Sequence, residues 1–130
     1  MNTPYLLDSH ALIWFLSGSK EMPKKIQKII TDTENECYVS IASIWEIGLK
    51  INLGKLQLGI SFEELAEVLN LNQIKTLPIT FKHILALNKL ENIHKDPFDR
   101  IILCQSKIEK IKLISRDSVF KRYKDVEIIW

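Results

Sequence analysis

Five short apolar runs recur along this chain, at residues 5–7, 37–39, 74–77, 112–115 and 126–129, and segments of helical period fill the intervals between them. The first four runs show little strict alternation of apolar and polar residues, the pattern of strands covered on both faces. Between them, Ser61, Phe62, Glu63 and Glu64 form a capping box, and Phe62, Leu65, Ala66 and Leu69 continue it as an i, i+3, i+4, i+7 stripe. Pro23 suits the first turn of a helix carrying Ile26, Ile29 and Ile30, and Thr80 can cap one carrying Phe81, Ile84 and Leu85. Strands separated by helices, repeatedly and without an internal repeat, argue for an α/β fold. Its sheet is parallel, joined by right-handed crossovers and sandwiched between helices.

With 130 residues, 46% of them hydrophobic, the chain can bury a core of its own. No Pro-, Gly- or Ser-rich stretch offers a linker, so residues 1–130 read as one domain. The stretch 5–16 is apolar, but Asp8 and His10 interrupt it and no basic flank precedes it, which makes a poor signal or membrane segment. A cytosolic protein with no membrane association is expected. Cys37 lies in a strand run and Cys104 in a helix, with no spacing that suggests zinc or a disulfide framework, so both read as reduced core residues. The net charge of +2 does not by itself establish a nucleic-acid partner. Its distribution says more: His94 and Lys95 precede an acidic turn, and Arg116, Lys121, Arg122 and Lys124 surround Asp117. These cations are either solvated helix faces or the flanks of a site for a phosphate-bearing substrate.

Four carboxylates stand where a strand has just ended or a helix has just begun. Asp8 ends the first strand and Asp117 follows the fourth, so both leave the carboxyl edge of the sheet. Asp99 falls in the first turn of a helix running from about residue 97 to 109; a helix that feeds a parallel strand runs antiparallel to it, which returns that turn to the same edge. Glu46 comes two turns into a helix over residues 40–51, where Ile41, Ile44, Trp45 and Gly48 make one face and Ser43, Glu46 and Lys50 another. Structural readings exist for each acid. Asp8 and Asp117 can be N-caps, Asp96 can cap with Pro97 behind it, Ser43 and Glu46 match a capping box, and Glu46 can pair with Lys50. Taken one at a time, each is open between cap and ligand. Four unpaired acids at one edge repel one another, an arrangement a fold tolerates best where a cation is expected.

The chain resembles the PIN-domain ribonucleases, and within them the VapC-like toxins of toxin–antitoxin pairs. The resemblance rests on four segments in order: Leu6 to His10, Ser43 to Ile47, His94 to Arg100 with its Asp-Pro-Phe-Asp-Arg core, and Ser115 to Asp117. It implies a three-layer α/β/α fold around a five-stranded parallel sheet ordered 3-2-1-4-5. A ligand crevice then falls between the strands that end at Asp8 and Asp117. It also implies that Asp8, Glu46, Asp99 and Asp117 bind Mg²⁺ or Mn²⁺, with Asp96 either a helix cap or an outer acid. It implies a small antitoxin protein as partner, and self-association into a homodimer. Trp14 and Phe15 beside Asp8, with Ile26, Ile29 and Ile30, are candidate walls of an antitoxin groove; the alternative is ordinary core.

Hard oxygen ligands without His or Cys suit a divalent cation that activates water toward a phosphorus centre. Hydrolysis of RNA phosphodiesters is the expected reaction, with Asp8 and Asp99 as primary ligands, Glu46 as ligand or water orienter, and Asp117 as a ligand, directly or through water. His10 and His94 can contact substrate or act as acids, but their spacing favours structural or surface roles. Ser9 and Ser115 can bind phosphate, bind a metal water or cap helices. Two rivals stand beside this reading: a non-catalytic binding module on the same fold, and a receiver-type phospho-acceptor. The receiver wants an acceptor Asp after the third strand, where this chain has Leu77, Pro78, Ile79 and Thr80.

Overall fold

The computed structural model describes residues 3–130. Five strands, β1 (Pro4–Leu7), β2 (Glu36–Ser40), β3 (Ile74–Leu77), β4 (Lys112–Ile114) and β5 (Ile128–Ile129), form one sheet ordered β3-β2-β1-β4-β5. Every pairing is parallel, Leu7 lying opposite Val39 on one side and Ile114 on the other. Six α-helices connect them: α1 (Ser9–Ser17), α2 (Lys24–Thr31), α3 (Ile41–Asn52), α4 (Leu65–Leu71), α5 (Phe81–Lys89) and α6 (Pro97–Glu109). This order differs from the 2-1-3-4-5 of receiver-like doubly wound domains, which removes the phospho-acceptor reading. Among the described residues, no helix is long and apolar enough to cross a membrane.

The apolar runs lack alternation because both faces of the sheet are covered. Tyr5, Leu7, Cys37, Val39 and Ile114 pack into one core with Leu12 of α1, Ile26 and Ile30 of α2, and Leu65 and Leu69 of α4. Leu6 and Leu113, the alternate residues of the same strands, enter a second core with Ile101, Ile102 and Leu103 of α6. Leu6, Leu7, Leu113 and Ile114 have no exposed surface. Burial of side chains of this size stabilises the fold by about 1.5–3 kcal/mol each. Cys37 and Cys104 are free, buried core residues, as expected. Ile26 and Ile30 also belong to the core, which excludes them as groove walls, while Trp14, Phe15 and Ile29 are only partly buried.

Helix α3 supplies residues to both cores, Ala42 to one and Ile47 to the other. Its orientation assigns the two faces read from the sequence. The buried face is Ala42, Ser43, Glu46 and Ile47, whereas Ile41 and Trp45 are exposed. Ile41 and Ile44 instead line a cleft of about 860 Å³ with Phe62 and Leu65, and Gly48 lies so close under Phe62 that a Cβ would come within 2.9 Å of its ring. The cap of α3 is Ser40, whose hydroxyl accepts the Ala42 N–H, so Ser43 and Glu46 are not a capping box. The Ser61–Glu64 box does form, but regular helix begins only at Leu65. Thr80 caps α5 with His83 completing the box; His83 is buried while Phe81, Ile84 and Leu85 face outward.

Candidate functional site

The carboxyl edge of the sheet collects the four acids because of where each element ends. Asp8 follows β1 directly and its N–H donates to the Ile114 carbonyl of β4, while Asp117 stands three residues past the end of β4. Helix α6 runs back to this edge and begins beside it with Asp96, Pro97, Phe98 and Asp99. Helix α3 brings Glu46 from the side.

Asp8 and Glu46 are almost fully buried, 4% and 6% exposed. Asp8 is the N-cap of α1: Oδ1 accepts the Ala11 N–H at 2.8 Å, and Oδ2 accepts the Ser115 hydroxyl. Burial raises its pKa from the ordinary 3.8, a nearby Asp117 adds to the rise, and the two hydrogen bonds and His10 oppose it. Glu46 accepts the Ser9 hydroxyl at 2.6 Å through Oε1 and pairs with Lys50 Nζ at 2.9 Å through Oε2. Each of these oxygens keeps a second lone pair for a further donor or a cation. Ser9 and Ser115 thus hold carboxylates in place, a role the sequence did not suggest for them.

Asp99 is pushed up to about 7 by burial first and then by Asp96, with Asp8 and Glu46 adding and His94 opposing. Three acids therefore press on one half-buried carboxyl. Asp117 behaves oppositely. Burial alone would raise it, but the Val119 N–H and the His94 hydrogen bond outweigh burial and hold it below its ordinary range. It caps the short 3₁₀ turn Ser118–Arg122 with one oxygen and turns the other to His94. Asp96 resolves as a helix cap, its Oδ1 accepting the N–H groups of Phe98 and Asp99.

The tightest group at the edge is not the expected quartet. His94, Asp99 and Asp117 each offer a ligand atom within 4.8 Å of the others, with His94 Nε2 at 2.9 Å from Asp117 and 3.2 Å from Asp99. Sequence reasoning set His94 aside as structural or surface. The signal that could have found it is the one applied to the acids, a polar residue just before a helix that starts at the carboxyl edge. Beside the cluster lies a crevice of about 260 Å³ lined by Asp8, His10, Trp14, Arg116 and Asp117. Arg116 lies over the Trp14 ring at 4.3 Å and pairs with Glu21. The larger cleft beside α3 and α4 contains none of the four acids. Arg100, by contrast, is structural: its guanidinium donates to the carbonyls of Glu91 and His94 and fixes the loop before α6.

The PIN-domain sequence profile matches residues 5–126. This chain belongs to the PIN-domain family. No curated protein matches this PIN domain in sequence. Solved structures match its fold. VapBC2 from Rickettsia felis, bound to a DNA fragment from its promoter, superposes with a TM-score of 0.75 at 13% identity, covering 98% of each chain. VapBC-1 from nontypeable Haemophilus influenzae gives 0.75 at 18% identity over 98% of this chain and 97% of that one. FitAcB from Neisseria gonorrhoeae gives 0.66 at 16%, over 97% and 96%. The five-stranded order read from the resemblance is thus the order this PIN domain adopts.

Oxygen donors in this PIN domain fit a hard divalent cation. Asp99 is raised to about 7 by burial first and then by the acids around it, so its charged form calls for compensation that a cation would provide.

Proposed function

We propose that this chain is a metal-dependent endoribonuclease that hydrolyses RNA phosphodiester bonds, working as the toxin of a toxin–antitoxin pair. The observation that supports it is the convergence at the mouth of the sheet of Asp99 and Asp117, with ligand atoms within 4.8 Å, where burial first and then Asp96, Asp8 and Glu46 raise Asp99. Asp8, Glu46, Asp99 and Asp117 are the residues that would hold Mg²⁺ or Mn²⁺. Such an ion, when bound, supplies a lowered pKa for its water and charge neutralisation at the phosphate.

The protein's own contribution is positioning. Ser115 and the Ala11 N–H fix both oxygens of Asp8, and Ser9 and Lys50 fix both of Glu46, so neither acid must reorient when substrate arrives. Glu46, held on Ser9, is placed to orient a water. The crevice wall formed by Trp14, Arg116 and His10 is where a nucleotide strand would lie, with Arg116 meeting phosphate.

The antitoxin reading draws on the solved structures of like fold, among them a toxin–antitoxin complex from Klebsiella pneumoniae. A small protein partner would cover the acidic edge by a helix-in-groove mode, with Trp14, Phe15 and Ile29 as the partly exposed apolar residues available to it. A homodimer and a cytosolic location belong to the same reading, as does the organisation of residues 1–130 as a single domain.

The test is cleavage of RNA by purified protein with Mg²⁺ or Mn²⁺ and with chelator, single-stranded DNA serving as the comparison substrate. Asp8→Asn and Asp99→Asn should each lose on the order of 10²-fold or more. Full-rate cleavage in chelator would overturn the metal mechanism. Metal binding without cleavage of any RNA would leave a binding module.

A further inference from the structure

Every polar group of His94 has a partner. Its backbone N–H donates to the Tyr123 hydroxyl at 2.7 Å, its carbonyl accepts from Arg100 at 3.1 Å, and its ring packs on Phe120 with centroids 5.2 Å apart. Nδ1 faces the backbone N–H of Asp96 at 3.2 Å. A backbone N–H can only donate, so Nδ1 presents its lone pair and the ring proton resides on Nε2. The other end of the ring agrees, because Nε2 faces a carboxylate oxygen of Asp117 at 2.9 Å and one of Asp99 at 3.2 Å.

A nitrogen that carries its proton has no lone pair to give a metal. Of the three side chains that converge within 4.8 Å, the two carboxylates are available to a cation and the imidazole is not. We propose that His94 is a positioning residue for the acidic site, its Nε2–H anchoring the Asp117 carboxylate beside that of Asp99 while the Asp96 N–H fixes its tautomer. This rests on the metal-binding reading of the four acids.

The arrangement gives the Asp96 turn a second task. Its side chain caps α6, and its backbone N–H sets which nitrogen of His94 donates. Asp99 and Asp117 come from different elements, and like charges at this distance would push the two apart. A rigid donor bonded to Asp117, with the same nitrogen 3.2 Å from Asp99, fixes one carboxylate beside the other, and removing such a partner of a ligating carboxylate typically weakens metal binding.

Two measurements test this on the intact protein. Long-range proton–nitrogen correlation spectra of ¹⁵N-histidine-labelled protein, at mildly alkaline pH, should show His94 with a protonated Nε2 and an unprotonated Nδ1, unchanged by saturating Mg²⁺. The opposite tautomer, or loss of the Nε2 proton when Mg²⁺ is added, overturns the proposal. Calorimetric Mg²⁺ titration of wild type, His94→Ala and His94→Gln follows. Ala should weaken binding by about 10–100-fold, whereas Gln, whose amide N–H can donate to the Asp117 carboxylate in place of Nε2–H, should stay within about threefold of wild type. Equal weakening in Ala and Gln, or none in Ala, also overturns it. Wild type that binds no divalent ion would instead reject the nuclease reading, and the tautomer spectrum then decides His94 alone. Melting curves establish that each variant is folded, and the spectrum needs no variant.

Discussion

The Ser115 hydroxyl donates to Oδ2 of Asp8, joining the ends of β4 and β1 across 107 residues of sequence. Ser115 Oγ in turn accepts the backbone N–H of Asp117 at 3.0 Å, so one small side chain links two of the four acids at the edge. Ser115 is fully buried, and Asp8 next to it nearly so. Neutral donors, the Ser115 hydroxyl and the Ala11 N–H, hold this carboxylate at a crevice that Arg116 also lines.

Ser115→Ala should therefore be costly out of proportion to one oxygen atom. It leaves a buried carboxylate short of a donor, a loss of about 1–3 kcal/mol that thermal melting will read. It also removes an influence that lowers the Asp8 pKa, so the loss should grow as pH rises and Asp8 must ionise. Unchanged stability would mean that Asp8 does not depend on this contact.

A pH dependence follows from Asp99, raised to about 7 by burial, by Asp96 and by the other acids. A carboxyl whose folded pKa lies above its unfolded value binds its proton more tightly in the folded state. Its contribution is fully present below the unfolded 3.8 and is lost as pH rises through about 7. The melting temperature of metal-free protein should fall over that interval more steeply than that of Asp99→Asn. Asp117, held below 3.8, acts with the opposite sign, its contribution being lost only as pH falls through the acid range, outside this window. Parallel wild-type and Asp99→Asn profiles would remove the argument from crowding.

The backbone of this site was legible in sequence, and much of its side-chain detail was not. Pro97 after Asp96 fixed the start of α6, and the bounds expected for that helix are those observed. Runs without alternation announced a sheet covered on both faces, and strand ends then located Asp8 and Asp117. Periodicity set Ser43 and Glu46 on a different face of α3 from Ile41, Ile44 and Trp45, but it did not say which face is buried. Here a polar stripe, Ser43 and Glu46, is turned inward toward α1 and α6, and Trp45 is left 62% exposed. Function inverted the usual pattern. For His94, its position before α6 could place it at the carboxyl edge, but its partners, 5 and 23 residues away, meet it only through the fold.

Asp96 and Asp99, three residues apart, should separate cleanly. Asp96→Asn keeps a good N-cap for α6 and should change stability little, while Asp96→Ala should cost about 1 kcal/mol. Removing the Asp96 charge takes away the second-largest cause of the Asp99 shift, so the pH profile of Asp96→Asn should move to lower pH. Cleavage by Asp96→Asn should fall far less than by Asp99→Asn. Equal losses would show that the Asp-Pro-Phe-Asp turn carries its ligand at the first acid.

Melting with and without Mn²⁺ distinguishes a cation pocket from a set of helix caps. In Asp8→Asn the amide oxygen can still accept the Ala11 N–H, and a negative charge that repels Asp99 and Asp117 is gone. The metal-free variant should keep its melting temperature or gain a few degrees. Asp8→Ala loses the cap and leaves the Ser115 hydroxyl without its acceptor, so it should lose about 1 kcal/mol or more. Wild type should gain stability as Mn²⁺ exceeds its dissociation constant, by about 2.7 kcal/mol at a hundredfold excess over that constant, since the ion binds only the native state. Both variants should lose most of this gain, because both lack the anionic ligand, whichever way their metal-free stabilities moved. A full Mn²⁺ shift that survives in Asp8→Asn and Asp8→Ala alike would place the ion elsewhere on the protein and withdraw the four acids as its site.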